Sequence, residues 1–327
     1  MRKFSFGKSV AALMIGALSS LGAAHASYPN EKPITVISPY AAGGANDFLT
    51  RLMAKELGET FNVTAVADNK AGANGIVGAS FVVKAQPDAY TLLMGNSATH
   101  GTNPTLYPDA PYDPVKDFEP VGMVGAVPIV LAVHSGLGIN SIQELLEYGK
   151  KNPGKLSFSS SGVGGTGHLA GETFKSKTGL DIIHIPYKGD APATTDAMGG
   201  QVSMAFVGVA SAAPQLASGK IKILAVAHPN RLASLPDVPT MKEAGVDGVV
   251  FSQWYALVTR AGADPARIQM LNDAVRKIVA DEEVRKSVAT LGAETVDMTP
   301  GQLREFIESE IARFRQIIQD LNLVKGS

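Results

Sequence analysis

Two stretches of this chain repeat one arrangement of small residues, and both could do chemistry with backbone amides alone. The first is Ser38-Pro39-Tyr40-Ala41-Ala42-Gly43-Gly44-Ala45-Asn46-Asp47, and the second is Ser159-Ser160-Ser161-Gly162-Val163-Gly164-Gly165-Thr166-Gly167-His168. Each leaves a short apolar run and enters a segment with helical periodicity. A helix start carries unpaired N–H groups and roughly half a positive charge, so it holds an anion without lysine or arginine. Glycine lets a ligand approach the backbone closely. Glycines also serve simply to make tight turns, and it is the recurrence of the device in two halves of the chain that favours a small-anion site.

Three further turns are placed to complete such a site. Gly95 to Asn103, with Ser97, Thr99, His100 and Asn103, offers neutral donors, and Pro186-Tyr187-Lys188-Gly189-Asp190 adds a phenol and a cation. Gly208-Val209-Ala210-Ser211 contributes shape. The candidate ligand-binding residues are thus Tyr40, Ala41, Ala42, Gly43, Gly44, Asn46 and Asp47, then Ser97, Thr99, His100 and Asn103. From the second half come Ser160, Ser161, Gly165, Thr166, His168, Tyr187 and Lys188.

The decoys are instructive. Gly162 to Gly167 fits G-x-G-x-x-G, but the confirming acid about 20 residues on is missing: Asp181 comes too early and Asp190 lies beyond a turn. Ser160, Ser161, His100, His168 and His184 suggest a hydrolytic triad, yet there is no G-x-S-x-G elbow. The histidines lack i, i+4 pairing and the chain has no cysteine, which leaves metal and thiolate chemistry without support. His184, between Ile183 and Ile185, reads as structural. No cofactor and no catalytic residue is expected; the rival reading is a secreted enzyme using the Gly162–Gly167 loop for a phosphate or nucleotide.

The elements that must position these turns follow from periodicity. Strands are expected at Ile34–Ser38, Val63–Ala67, Tyr90–Met94, Lys155–Ser159, Asp181–Pro186, Val202–Val207 and Ile221–Val226, with helices between them and a mostly helical last third. That alternation means parallel sheets flanked by helices, with the turns at the carboxyl ends of strands where ligands bind. Capping boxes are read at Ser141–Glu144 and Thr240–Glu243, and N-cap plus N1 proline signals at Asp264-Pro265 and Thr299-Pro300. Two apolar segments, near 119–134 and 249–259, read as crossings between lobes. Pro128 makes one continuous central strand unexpected in the former, where a strand that bends or changes sheets fits better. The expected architecture is an α/β, two-lobed fold. Residues 27–124 plus 255–327 form one lobe, 125–254 an inserted second, and the ligand cleft lies between them. Two consecutive domains are the alternative.

Arg2, Lys3 and Lys8, the apolar run Val10–Leu21 and Ala24-His25-Ala26 read as an export signal over residues 1–26, cleaved after Ala26. Its loss removes three of the 29 basic side chains and none of the 30 acidic ones, leaving a net charge of −4. That balance argues against nucleic acid, so an anion site must be built locally.

In order, Pro33-Ile34-Thr35 with Pro39–Asp47, Asn69–Gly75, Pro87–Leu93, Tyr112–Phe118, His168–Glu172, Pro186–Gly189 and Leu235–Thr240 resemble the receptors of tripartite tricarboxylate transporters, the Bug or TctC-like family. The resemblance spans the mature chain. It implies the two-lobed, type II-like periplasmic binding protein fold and a monomeric periplasmic receptor that closes on a small organic acid (a di- or tricarboxylate, acidic amino acid or aromatic acid) and delivers it to membrane permease subunits. A sensor kinase is the other possible outlet. It also implies ligand contacts from Tyr40–Asp47, Ser97, Thr99, Asn103, Ser160, Thr166, His168 and Tyr187. Family members often carry an acid after the Phe of the strand preceding Gly208. Here that position is Val207, which implies a less negative pocket.

Overall fold

The structure, a computed structural model, describes residues 28–323; the export signal read over residues 1–26 lies outside them. The chain begins with β1 (Ile34–Ser38), α1 (Ala45–Phe61), β2 (Ala65–Asn69), α2 (Ile76–Val83) and β3 (Thr91–Asn96). α3 (Asn103–Leu106) follows, then β4 (Phe118–His134), α4 (Ile142–Lys151), β5 (Leu156–Ser160), α5 (Thr166–Thr178), β6 (Ile182–Pro186) and α6 (Asp190–Met198). Next come β7 (Met204–Gly208), α7 (Val209–Ala212), β8 (Ile221–Val226) and β9 (Ser252–Arg260). The chain ends with α8 (Pro265–Ala280), α9 (Glu282–Ala289), β10 (Glu294–Thr295) and α10 (Pro300–Asp320).

The strands run in the order β2-β1-β3-β9-β4-β7-β5-β6, with β8 and β10 also paired to β4. Each half keeps a parallel trio: β2, β1 and β3 in one, and β7, β5 and β6 in the other. The antiparallel strands β4 and β9 join them. β4 pairs with β9 from Phe118 to Pro128, and from Ile129 onward with β7 and β8. The sheet partner therefore changes at Pro128, as a residue without an N–H requires. The strand runs unbroken through the proline, and it changes sheets there, as the sequence reading favoured. β9 starts at the matching place, Ser252 opposite Pro128. The two lobes meet along these two strands.

Local signals act as their chemistry dictates. Asp264 and Thr299 cap α8 and α10, the latter in a reciprocal box with Gln302. The Thr240–Glu243 box also closes reciprocally, but it holds only a turn. In the Ser141 box the backward bond goes to Asn140: Glu144 Oε2 accepts from the Asn140 N–H. The apolar face of α10 is divided. Leu303, Ile307 and Ile311 sit in the core around Phe118 and Trp254, whereas Phe314 and Ile318 sit in the core around Phe158 and Phe206. The last helix thus packs on both lobes.

Candidate functional site

The first glycine turn joins β1 to α1 through an exposed backbone. Ala41, Ala42, Gly43 and Gly44 all face solvent, and a methyl group added at Gly43 or Gly44 would touch nothing within 4 Å. Gly44 is the N-cap of α1 and has no side chain to offer, so the amides of the first helical turn stay unclaimed. Asp47 and Asn46 are corrections to the expected set of contacts. Asp47 Oδ2 accepts from the Gly43 N–H (3.0 Å) and Arg51 Nε (3.1 Å), and Oδ1 accepts from Asn69 Nδ2 (2.9 Å). Burial alone would raise this carboxyl, but the donors from Arg51, Gly43 and Asn69 outweigh it and hold it below its ordinary value. The carboxylate is the turn's internal anchor. Asn46 Nδ2 donates to Met94 O and its Oδ1 accepts from Ser38 Oγ, so it fastens α1 to the sheet. Tyr40 remains at the site, its hydroxyl 3.1 Å from Asn96 Nδ2.

Beyond β3 the chain makes a tight helical turn over Ala98–Thr102. Asn96 Oδ1 accepts from the Ala98 and Thr99 amides, and Thr99 Oγ1 accepts from the Asn96 amide, which locks the turn. His100 does not reach the ligand side. It is fully buried beneath Phe118, ring centroids 4.7 Å apart, with Nδ1 2.9 Å from Thr99 Oγ1. Burial pulls its pKa down to about 3, which keeps it neutral. Asn103 is likewise occupied: it donates to Asn74 O and accepts from Asn74 Nδ2. Ser97 is buried at the lobe junction.

In the second lobe the glycine turn satisfies most of its own amides. Gly162 N donates to Ser160 Oγ (3.3 Å), Gly164 N to His168 Nδ1 (3.1 Å) and Gly165 N to Gly162 O (3.2 Å). Those three donors are not open to a phosphate. Gly165 caps α5 without a side chain, so the unclaimed amides are those of the first helical turn, beginning at Thr166. Gly167 has a packing reason: a methyl group there would overlap the Phe206 carbonyl. His168 stacks on His184 at 4.1 Å, His184 stacks on Phe158 at 4.7 Å, and Ser160 Oγ lies 2.7 Å from His184 Nε2. Burial lowers the two imidazoles to about 4 (His168) and about 3 (His184), with the neighbouring His168 and Lys175 adding to the latter. Because His168 Nδ1 accepts an amide proton, its own proton sits on Nε2.

The lobes touch where these turns meet. Ser97 Oγ of the first lobe lies 2.8 Å from Thr166 Oγ1 of the second, and Gly164 presses on Leu106 so closely that a methyl group would overlap it. The turns after β1, β3 and β5 therefore converge through Tyr40–Asn96 and Ser97–Thr166. Two members of the β6 turn face elsewhere: Tyr187 donates its hydroxyl to Asp196 Oδ2 (2.7 Å), and Lys188 is exposed. Asp190 takes their place. Its Oδ2 accepts from the Gly208 amide (3.1 Å) and Gln253 Nε2 (3.3 Å), and Tyr255 donates to Gln253 Oε1 (2.9 Å). A carboxylate thus stands against Gly208 from Asp190, while Val207 itself is apolar. Asn96, Asp190, Gln253 and Tyr255 were missed by residue type. The signal for Asp190 was positional: it opens a helix directly after a strand-end turn.

Among the described residues no cluster of histidine and acid could hold a metal, and no helix is long and apolar enough to cross a membrane. A family model described as the tripartite tricarboxylate transporter family receptor matches residues 49–323. The chain belongs to that family. Protein BugT of Bordetella pertussis is 35% identical over 294 residues, covering 90% of each chain. Among solved structures, an R. palustris protein with adipate shares 33% identity at a TM-score of 0.84, covering 89% of this chain and 97% of its own. MatC from Rhodopseudomonas palustris with bound malate shares 29% identity at 0.79, covering 88% and 98%. The two-lobed α/β binding-protein fold and the receptor class, rather than an enzyme, are those of the family.

Proposed function

We propose that this receptor captures a small organic carboxylate between its lobes in the periplasm and hands it to the permease subunits of a tripartite transporter. The observation that carries the reading is that two uncapped helix starts, α1 and α5, are linked across the lobes through the Tyr40–Asn96 and Ser97–Thr166 contacts. An anion there gains from amide dipoles aimed at it from both jaws while the chain's own net charge stays negative. Tyr40, Ser97 and Thr166, with the first-turn amides of α1 and α5, form the clamp. The lobes part at the crossings near Pro128 and Ser252, where β4 and β9 pass between the parallel trios, and closure is a hinge motion there. Adipate and malate in the two related structures are acids of the class proposed.

The experiment is a calorimetric and thermal-shift screen of the mature chain against two- to seven-carbon mono-, di- and tricarboxylates. Saturable 1:1 binding is expected, with ligand recovered chemically unchanged, and a ligand at about 100 times its Kd adds roughly 2.7 kcal/mol of stability. A full panel without a shift, or turnover of a bound acid, overturns the reading.

A further inference from the structure

A carboxylate on the floor of an anion-binding cleft needs an explanation, and Asp190 provides one. It opens α6 directly after the β6 turn. Its Oδ2 is doubly engaged, by the Gly208 amide at the end of β7 and by Gln253 at the start of β9, where the sheet changes partners. The Ser161 hydroxyl from the β5 turn also lies against it. The neighbours of this carboxylate therefore come from the strand-end turns of the second lobe and from the crossing strand, which places it at the base of the jaws. Its Oδ1 is buried and has no hydrogen-bond partner among the described residues. Every donor on Oδ2 is neutral, and no ion pair involving Asp190 is formed among the described residues. Lys188, two residues away, is exposed to solvent.

A buried carboxylate oxygen with no donor is costly, and an acidic ligand approaching it adds like-charge repulsion. Both costs vanish if the ligand supplies the missing donor together with a positive charge. We propose that Asp190 is a ligand-selecting group whose Oδ1 takes the protonated amine of an amino-substituted carboxylic acid, while the uncapped helix starts take its carboxylate. This rests on the carboxylate reading of the same cleft and narrows it to a class. Burial raises the Asp190 carboxyl from its ordinary value, and an ammonium at Oδ1 works in the opposite direction by favouring the ionised form. Gln253 and Tyr255 position the group, since the Tyr255 hydroxyl fixes the Gln253 amide so that Nε2 points at Oδ2.

The test uses matched pairs on the mature chain by titration calorimetry: aspartate with succinate, glutamate with glutarate, 4-aminobutyrate with butyrate, 5-aminovalerate with valerate. The amine-bearing member of the best-bound pair is expected to bind at least tenfold more tightly. Asp190→Asn should weaken it at least tenfold and leave the amine-free partner within threefold, with a melting temperature near that of the parent. If the variant misfolds, the parent's own pairwise preference decides. Amine-free acids binding as well as or better than their partners overturn the proposal while the carboxylate reading stands, as does an equal loss of both in Asp190→Asn. Absence of binding by every member of both sets overturns this proposal, and the carboxylate reading falls with it only when the wider panel is silent as well.

Discussion

His168 does for the second glycine turn what a loop lysine does elsewhere, but from inside and without charge. Its Nδ1 holds the Gly164 amide, and its ring is clamped on His184, which in turn meets Ser160. The arrangement works only while both imidazoles are neutral. The folded pKa of His168, about 4, lies below the ordinary 6.5, so the unfolded chain binds the proton more readily. The stability this confers is complete above pH 6.5 and disappears as pH falls toward 4, amounting to roughly 3 kcal/mol for His168 alone at the acid end. Melting measured from pH 7.5 to 4 should show this slope. In His168→Asn, whose amide oxygen accepts the Gly164 N–H without titrating, the slope should flatten; equal slopes in parent and variant count against the account. Sequence reading placed His168 at the site and took His184 as structural. It gave no means of seeing that the two rings stack, because residues 16 positions apart meet only through the packing of α5 on β6.

Among the elements, those whose hydrophobic period is clean were legible: β1 and β8 match their expected bounds, and the other strands shift by one or two residues. That the turns lie at strand ends was also legible, because the strands themselves were. The direction of each side chain was not, since Asp47, Asn46 and Asn103 are of ligand-binding type yet are consumed in holding the turns. Nor did periodicity show that α10 serves two cores. Phe314 is fully buried and abuts Gly101 of the first lobe while packing with the second lobe's core. Phe314→Ala should cost about 3–5 kcal/mol, read from chemical denaturation, because the hole opens at a place neither lobe can fill. Gly164 allows a finer test. Its φ of +79° strains any replacement by about 1–2 kcal/mol, and in addition a methyl group there would strike Leu106 across the cleft. Gly162, at φ +137°, meets only Tyr187 O of its own lobe. Gly164→Ala should therefore weaken ligand binding tenfold or more, beyond any loss in Gly162→Ala of similar stability; equal binding in the two variants would mean that the jaws do not close on Leu106.

At the scale of the whole molecule, two lobes joined by β4 and β9 with a helix spanning both have one easy motion, the opening of the turns that now touch. The contact between Ser97 Oγ and Thr166 Oγ1, 2.8 Å across the junction, is where that motion is stopped most simply. The chain has no cysteine, so Ser97→Cys with Thr166→Cys places the sole pair of thiols, and side chains already in contact fall within reach of disulfide geometry. Oxidised without ligand, the double variant should refuse a carboxylate that the parent binds, because the cleft is sealed before the ligand arrives. Oxidised after loading, it should retain the ligand through extensive dialysis, and reduction should release it. The reduced variant, which lacks the two clamp hydroxyls, should bind more weakly than the parent but take up and release ligand freely. Entry and exit of ligand at parental rates in the oxidised protein would show that the acid reaches its amides by a route other than the parting of Ser97 from Thr166, and the hinge would lose its role.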